Sequence, residues 1–223
     1  MSQIKKNINS ITKKLNLHNP KAKGEIRLVA VSKGQDYSKI REAFDAGQYI
    51  FGENYLQEAI NKQEGLKDLK IEWHFIGPIQ SNKCKLIAES FSWVQSVDRI
   101  KVANKLNDSL KDQALLNICL QVNISNEDSK SGINIDEIDS LAKHINDLDK
   151  LTLRGLMAIP TNTSDDEILK NEYKQLKVIY ENLRKKYTSV DTLSMGMSND
   201  YLLAIKNGSN LVRIGTKIFG KRT

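Results

Sequence analysis

The sequence predicts an α/β fold: one closed (β/α)8 barrel over residues 1–223, with an extra helix ahead of the first strand. Three observations predict it. Short apolar runs alternate with amphipathic segments along the chain, the pattern of parallel strands joined by helical crossovers. Eight such runs fall within 223 residues with no composition break between them, enough to close a barrel as one domain. Polar residues recur at the ends of these runs, where a barrel collects its functional groups. The rival is an open doubly wound sheet, but no glycine-rich dinucleotide fingerprint follows the first run.

The N-terminus carries Ile4, Ile8, Ile11 and Leu15 at helical spacing, separated by Lys and Asn. That is an amphipathic helix, not the continuous apolar stretch of a signal peptide, and it is expected to cover the end of the barrel. Leu28–Lys33 reads as the first strand, apolar and β-branched until its final lysine. Ser38–Ala46 is a helix stopped by Gly47, and Tyr49–Asn54 the second strand. Helix Leu56–Glu64, strand Glu72–Gly77 ended by Pro78, and short helix Asn82–Glu89 follow. Trp93–Val97 is the fourth strand, with Asp98 expected to cap a helix through Leu110. Leu115–Ile124 is the fifth strand. Asp136–Asp147 is a helix with Ile138, Leu141, Ala142 and Ile145 on one face.

Leu151–Ile159 is the sixth strand, closed by Pro160. Glu167–Tyr187 is a long helix with Leu169, Tyr173, Leu176, Ile179, Tyr180 and Leu183 on one stripe. Thr192–Met197 is the seventh strand, Asn199–Asn207 a helix ended by Gly208, and Leu211–Phe219 the eighth strand.

Bulk properties narrow the function classes. The net charge is +7, yet the basic residues are mostly Lys interspersed with Asp and Glu, with no Arg-rich or aromatic–basic run. Solvated helix faces explain this better than a nucleic-acid surface. Cys84 and Cys119 lie far apart, outside any metal-ligand spacing, so neither a disulfide scaffold nor a zinc site is expected. No run approaches the roughly 20 apolar residues of a membrane span, and the expected address is the cytoplasm.

Lys33 is the sharpest single residue. Period-2 alternation puts it on the face of Val29 and Val31. If that face lines the barrel, desolvation favours the neutral amine, which is the form that attacks a carbonyl. A lone lysine at a strand end is more often simply exposed, so this position alone decides nothing. The last two units add a second signal. Ser194–Ser198 leads into the helix at Asn199, with Ser198 placed as its cap, and such helix starts bind phosphate. Arg213-Ile214-Gly215-Thr216 then offers a cation, a close-approach glycine and a hydroxyl, in the loop where barrels commonly bind phosphate. His74, between apolar neighbours, is more often a satisfied structural histidine than a catalyst. Asn54 reads as a cap or a ligand contact. Lys130 and Gly132 lie in a polar loop over residues 123–132, for which solvated surface is the plain reading.

These pieces together resemble one family. The segments Val29-Ala30-Val31-Ser32-Lys33, Phe51-Gly52-Glu53-Asn54, Trp73-His74-Phe75-Ile76-Gly77-Pro78 with Gln80-Ser81-Asn82-Lys83, Gly155-Leu156-Met157-Ala158-Ile159, Ser194-Met195-Gly196-Met197-Ser198 and the run from Val212 to Gly220 look like the pyridoxal phosphate homeostasis protein family (the YggS/PROSC group). The resemblance extends from about Leu28 to Gly220. It implies the barrel of the alanine racemase N-terminal domain, with Lys33 carrying pyridoxal phosphate as a Schiff base. Ser198, Gly215 and Thr216 would hold the phosphate, Arg213 would face the pyridine nitrogen, and Asn54, His74 and Met197 would line the pocket.

The role implied is a cofactor-binding protein without strong turnover. It would serve vitamin B6 and amino-acid homeostasis, with apo-enzymes that need pyridoxal phosphate as its partners and the chain itself a monomer. A pyridoxal phosphate-dependent amino-acid racemase is the main alternative. Such an enzyme takes its second acid–base residue from a further domain of a partner subunit, and a chain ending at Thr223 is expected to lack that domain. A Schiff-base aldolase and a basic RNA-binding module are weaker alternatives.

Overall fold

The structure is a computed structural model that describes residues 2–19, 25–111, 114–127 and 130–221. Eight parallel strands form a closed barrel in chain order, with β1 paired to both β2 and β8. The strands are β1 Arg27–Val31, β2 Ile50–Glu53, β3 Glu72–Phe75, β4 Trp93–Val97, β5 Leu116–Val122, β6 Leu151–Ala158, β7 Thr192–Ser194 and β8 Leu211–Ile214. The helices are α1 Gln3–His18, α2 Tyr37–Asp45, α3 Leu56–Gly65, α4 Cys84–Ser90, α5 Ile100–Ser109, α6 Ile138–Asn146, α7 Asp166–Lys186, α8 Tyr201–Lys206 and α9 Thr216–Phe219. This is the (β/α)8 architecture that the apolar alternation predicts.

The helices form where an apolar stripe can close on the sheet. In α7 the stripe is Leu169, Tyr173, Leu176, Tyr180 and Leu183, all buried. Its first turn is capped by Asp165, which accepts from the Glu167 and Ile168 amides. Acidic residues lead the helix and Arg184, Lys185 and Lys186 end it, in register with the helix dipole. The same logic buries Ile138, Leu141, Ala142 and Ile145 on α6.

Three local expectations need correction. The eighth strand stops at Ile214, and Thr216–Phe219 turns into α9. Both halves are apolar, so hydrophobicity alone could not mark the break at Gly215. Asp98 does not cap α5; Arg99 holds that position, and Asp98 instead pairs with the Arg99 guanidinium. α1 does not lie across a barrel mouth. It buries Ile4, Ile8, Ile11 and Leu15 against α2, α8 and α9, and Asn7 Nδ2 donates to Ile218 O at 2.8 Å. α9 has only four residues, and α1 packs beside it in the outer layer of helices.

Among the described residues no helix is long and apolar enough to cross a membrane, and no group of three His, Cys, Asp or Glu residues could hold a metal ion. Cys84 and Cys119 are both buried free thiols.

Candidate functional site

A cavity of about 520 Å³ opens at the C-terminal ends of the strands. Lys33, Asn54, Met197, Ser198, Arg213, Gly215 and Thr216 all line it. Sequence reasoning placed these residues at the ends of separate strands; the barrel gathers them. Its size falls within the usual range for small-molecule sites, about 300–1,000 Å³.

Lys33 sits two residues past β1, in the turn that Gly34 completes at φ 69°. It is partly buried and shares the cavity wall with Val31, as period-2 alternation requires. Asn54 follows β2, and its Oδ1 is buried without a hydrogen-bond partner among the described residues. The Asn54 backbone is fixed from behind, because a Cβ on Gly77 would lie 2.1 Å from Asn54 O.

Ser198 does not cap a helix from Asn199. α8 starts at Tyr201, and Asp200 occupies the cap position. Asp200 Oδ1 accepts from the Met197 amide at 2.6 Å, while its other oxygen accepts from the Tyr173 hydroxyl. A carboxylate thus shapes the 197–200 turn, and Ser198 and Asp200 both line the cavity. Ser198 Oγ accepts from the Lys217 amide at 3.4 Å, which ties this turn to the start of α9. Gly215 is close-packed: a Cβ there would meet Val31 O at 3.0 Å.

Arg213 is buried at the cavity floor. Nη1 donates to Ser194 O at 2.9 Å and to Ser194 Oγ at 2.6 Å, and Nη2 donates to Ala158 O at 2.8 Å. Burial lowers its pKa to about 10, so the guanidinium keeps its charge at neutral pH.

His74 does not line the pocket as the family resemblance implies; it is the satisfied structural histidine that its apolar neighbours suggest. It is not among the residues lining the cavity; it lies deeper, fully buried inside the barrel. Its ring stacks on Trp93 at 5.0 Å and 6°. Nδ1 bonds Gln95 Nε2 at 2.7 Å and Nε2 bonds Glu72 Oε1 at 2.7 Å. Burial lowers the His74 pKa to about 4, against the pull of Glu72. A neutral ring that accepts at Nδ1 must carry its proton on Nε2, which matches a donor facing the carboxylate. Gln95 Oε1 in turn accepts from Ser194 Oγ at 2.6 Å. The result is a continuous chain, Arg213 to Ser194 to Gln95 to His74 to Glu72, with Arg27 on Glu72 at 3.1 Å.

Sequence reasoning missed Ser194 as the partner of Arg213 and Gln95 as the link from Ser194 to His74. The signal was faint but present: polar residues inside runs that are otherwise buried and apolar. It also passed over Lys130 as surface. Lys130 lines the cavity, where Nζ donates to Glu127 Oε1 at 2.6 Å, Ser125 Oγ at 3.1 Å and Pro160 O at 3.1 Å. Residues 128 and 129 of that loop lie outside the described residues.

A closed parallel barrel whose strand ends converge on a lysine, an arginine and paired hydroxyls defines the class of protein. The family described as alanine racemase, N-terminal domain, matches residues 1–223. The pyridoxal phosphate homeostasis protein of Vibrio alginolyticus is 47% identical over 230 residues, covering 100% of this chain and 99% of that relative. PipY of Synechococcus elongatus PCC7942 superposes without pyridoxal phosphate at TM-score 0.88, with 32% identity over 97% of this chain and 100% of that one. The same protein with pyridoxal phosphate bound gives TM-score 0.86, 32% identity and the same coverage, 97% and 100%. The chain belongs to the pyridoxal phosphate homeostasis proteins, within the alanine racemase N-terminal-domain family.

Proposed function

We propose that this chain binds pyridoxal phosphate as a Schiff base on Lys33 and serves vitamin B6 and amino-acid homeostasis without strong catalytic turnover. The observation that carries the reading is the shared cavity. An amine, a buried guanidinium, two hydroxyls and the Asn54 residue line one volume of ligand size. That donor set fits a phosphorylated aromatic aldehyde: hydroxyls and backbone for the phosphate and an amine for the aldehyde.

Lys33 supplies the point of attachment. Ser198, Gly215 and Thr216 bind the phosphate, and Met197 packs on the ring. Arg213 faces the ring nitrogen. When bound, the cofactor contributes an electrophilic carbon and a ring that can withdraw electrons. A guanidinium that keeps its proton leaves the ring nitrogen unprotonated, and the ring is then a weak electron sink. His74 acts from below, through Gln95 and Ser194, on the orientation of Arg213.

The protein works in the cytoplasm as a monomeric single-domain carrier, with apo-enzymes that need the cofactor as its partners. The relatives are named for homeostasis, not for a reaction. Incubation with pyridoxal phosphate should give a visible absorbance band that Lys33→Ala abolishes, while a panel of amino acids shows negligible racemisation. A band that survives in the variant overturns the attachment. Efficient racemisation favours the enzyme alternative.

A further inference from the structure

Lys33 is flanked by two residues that are tied, from opposite sides, into one buried ionic cluster outside the cavity wall. Lys62 on α3 is the centre. Its Nζ donates to Ser32 O at 2.7 Å, to Glu53 Oε1 at 2.8 Å and to Glu58 Oε1. Glu53 Oε1 also accepts from Ser32 Oγ at 2.6 Å. Glu58 Oε1 accepts from the Gly34 amide at 2.6 Å. The Lys62 and Glu53 side chains are 6% and 0% exposed, and Glu58 is 31% exposed.

Removing two charges from water carries a penalty of several kcal/mol per ion, so such a cluster is weak evidence for stability by itself. Its contacts suggest another use. The chain leaves β1 at Val31 and must turn at Gly34, with Lys33 between. Ser32 is held by its carbonyl and its hydroxyl; Gly34 is held by its amide. Both neighbours of Lys33 are therefore anchored to α3 and β2, and the side chain between them leaves the turn in one direction, into the cavity.

We propose that Lys62, Glu53 and Glu58 are positioning residues that hold the Lys33 turn so that Nζ meets the aldehyde carbon at a productive angle. This rests on the attachment at Lys33 proposed above. In the reaction concerned, Nζ bonds to the aldehyde carbon and the aldehyde oxygen leaves as water, its protons coming from the amine and from solvent. The clamp acts on the approach of the nitrogen and leaves phosphate binding to the other side of the cavity. Misplacement by about 1 Å can slow a reaction about a hundredfold, so a partial loosening should show clearly in rate.

The test uses the full chain, Glu58→Ala and Glu58→Gln, with two probes. Pyridoxal phosphate can condense; pyridoxine 5′-phosphate carries an alcohol in place of the aldehyde and can only bind. Glu58→Ala should slow adduct formation about tenfold and leave pyridoxine 5′-phosphate affinity within about twofold. Glu58→Gln keeps an oxygen for the Gly34 amide and should recover most of the rate. An unchanged adduct rate in Glu58→Ala, or an equal loss for both probes, overturns the clamp. Absence of any Lys33 adduct in the unaltered chain is a different failure, because it removes the functional reading on which the clamp rests.

Discussion

The Ser194 hydroxyl donates to Gln95 Oε1 at 2.6 Å, although β7 and β4 are not neighbours in the sheet. The bond must therefore cross the barrel interior. It joins the Arg213 guanidinium at the cavity floor to His74 and Glu72 below, and every link donates in the same direction, from cation towards carboxylate. An amide in the middle of the chain cannot pass a proton readily, so the arrangement is an orienting frame and not a proton wire.

Gln95→Leu should orphan two buried groups at once, the Ser194 hydroxyl and His74 Nδ1. Each unsatisfied group costs about 1–3 kcal/mol, and the loss is read as a lower urea midpoint. A variant as stable as the parent would contradict the frame.

His74 makes stability depend on pH. Its ordinary value of 6.5 is lowered by burial to about 4 in the folded chain. Between those values the unfolded state binds the proton and the folded state does not, so stability rises with pH. The contribution is complete above the ordinary value and is lost as pH falls towards about 4, amounting to about 3 kcal/mol over the window. Glu72, held below the usual carboxylate range by its bond to His74, loses its own contribution at lower pH still. Urea unfolding at a series of pH values should show this slope in the parent and a flatter one in His74→Gln. Equal slopes would contradict the assignment.

Lys62→Met should leave Glu53 buried without its counter-charge. Burial already pushes that carboxyl up against the pull of Lys62. The expected loss is about 3–5 kcal/mol, measured by denaturant unfolding, and it should shrink in a Glu53→Gln background. A loss of equal size in both backgrounds would show that the two residues are not coupled.

Gly77→Ala should disturb the site from outside it. The added carbon would lie 2.1 Å from Asn54 O, so the Asn54 backbone has to move. A stability loss of about 1–3 kcal/mol, together with weaker pyridoxal phosphate binding by calorimetry, is expected. Unaltered affinity would remove Asn54 from the pocket.

Much of this was legible in the sequence, for physical reasons. Lys33 and Arg213 bring charge into apolar runs, and period-2 alternation assigns Lys33 the face of Val29 and Val31. The amphipathic stripe of α1 announces its own burial. What stayed hidden depends on distance across the barrel. Gln95 and Ser194 lie 99 positions apart and become partners only when the sheet closes. Ser198 looked like a cap because serine commonly is one, but Asp200 is nearer the helix start and its carboxylate takes the turn amide instead. The Lys62 cluster was silent because a lysine on an amphipathic helix ordinarily faces water.

The most direct test of the central claim is mass spectrometry of the full chain after incubation with pyridoxal phosphate, borohydride reduction and proteolysis. The account predicts that the added phosphopyridoxyl mass sits on the peptide containing Lys33, at that residue. Modification concentrated on Lys130 or on surface lysines, with Lys33 unmodified, would contradict it.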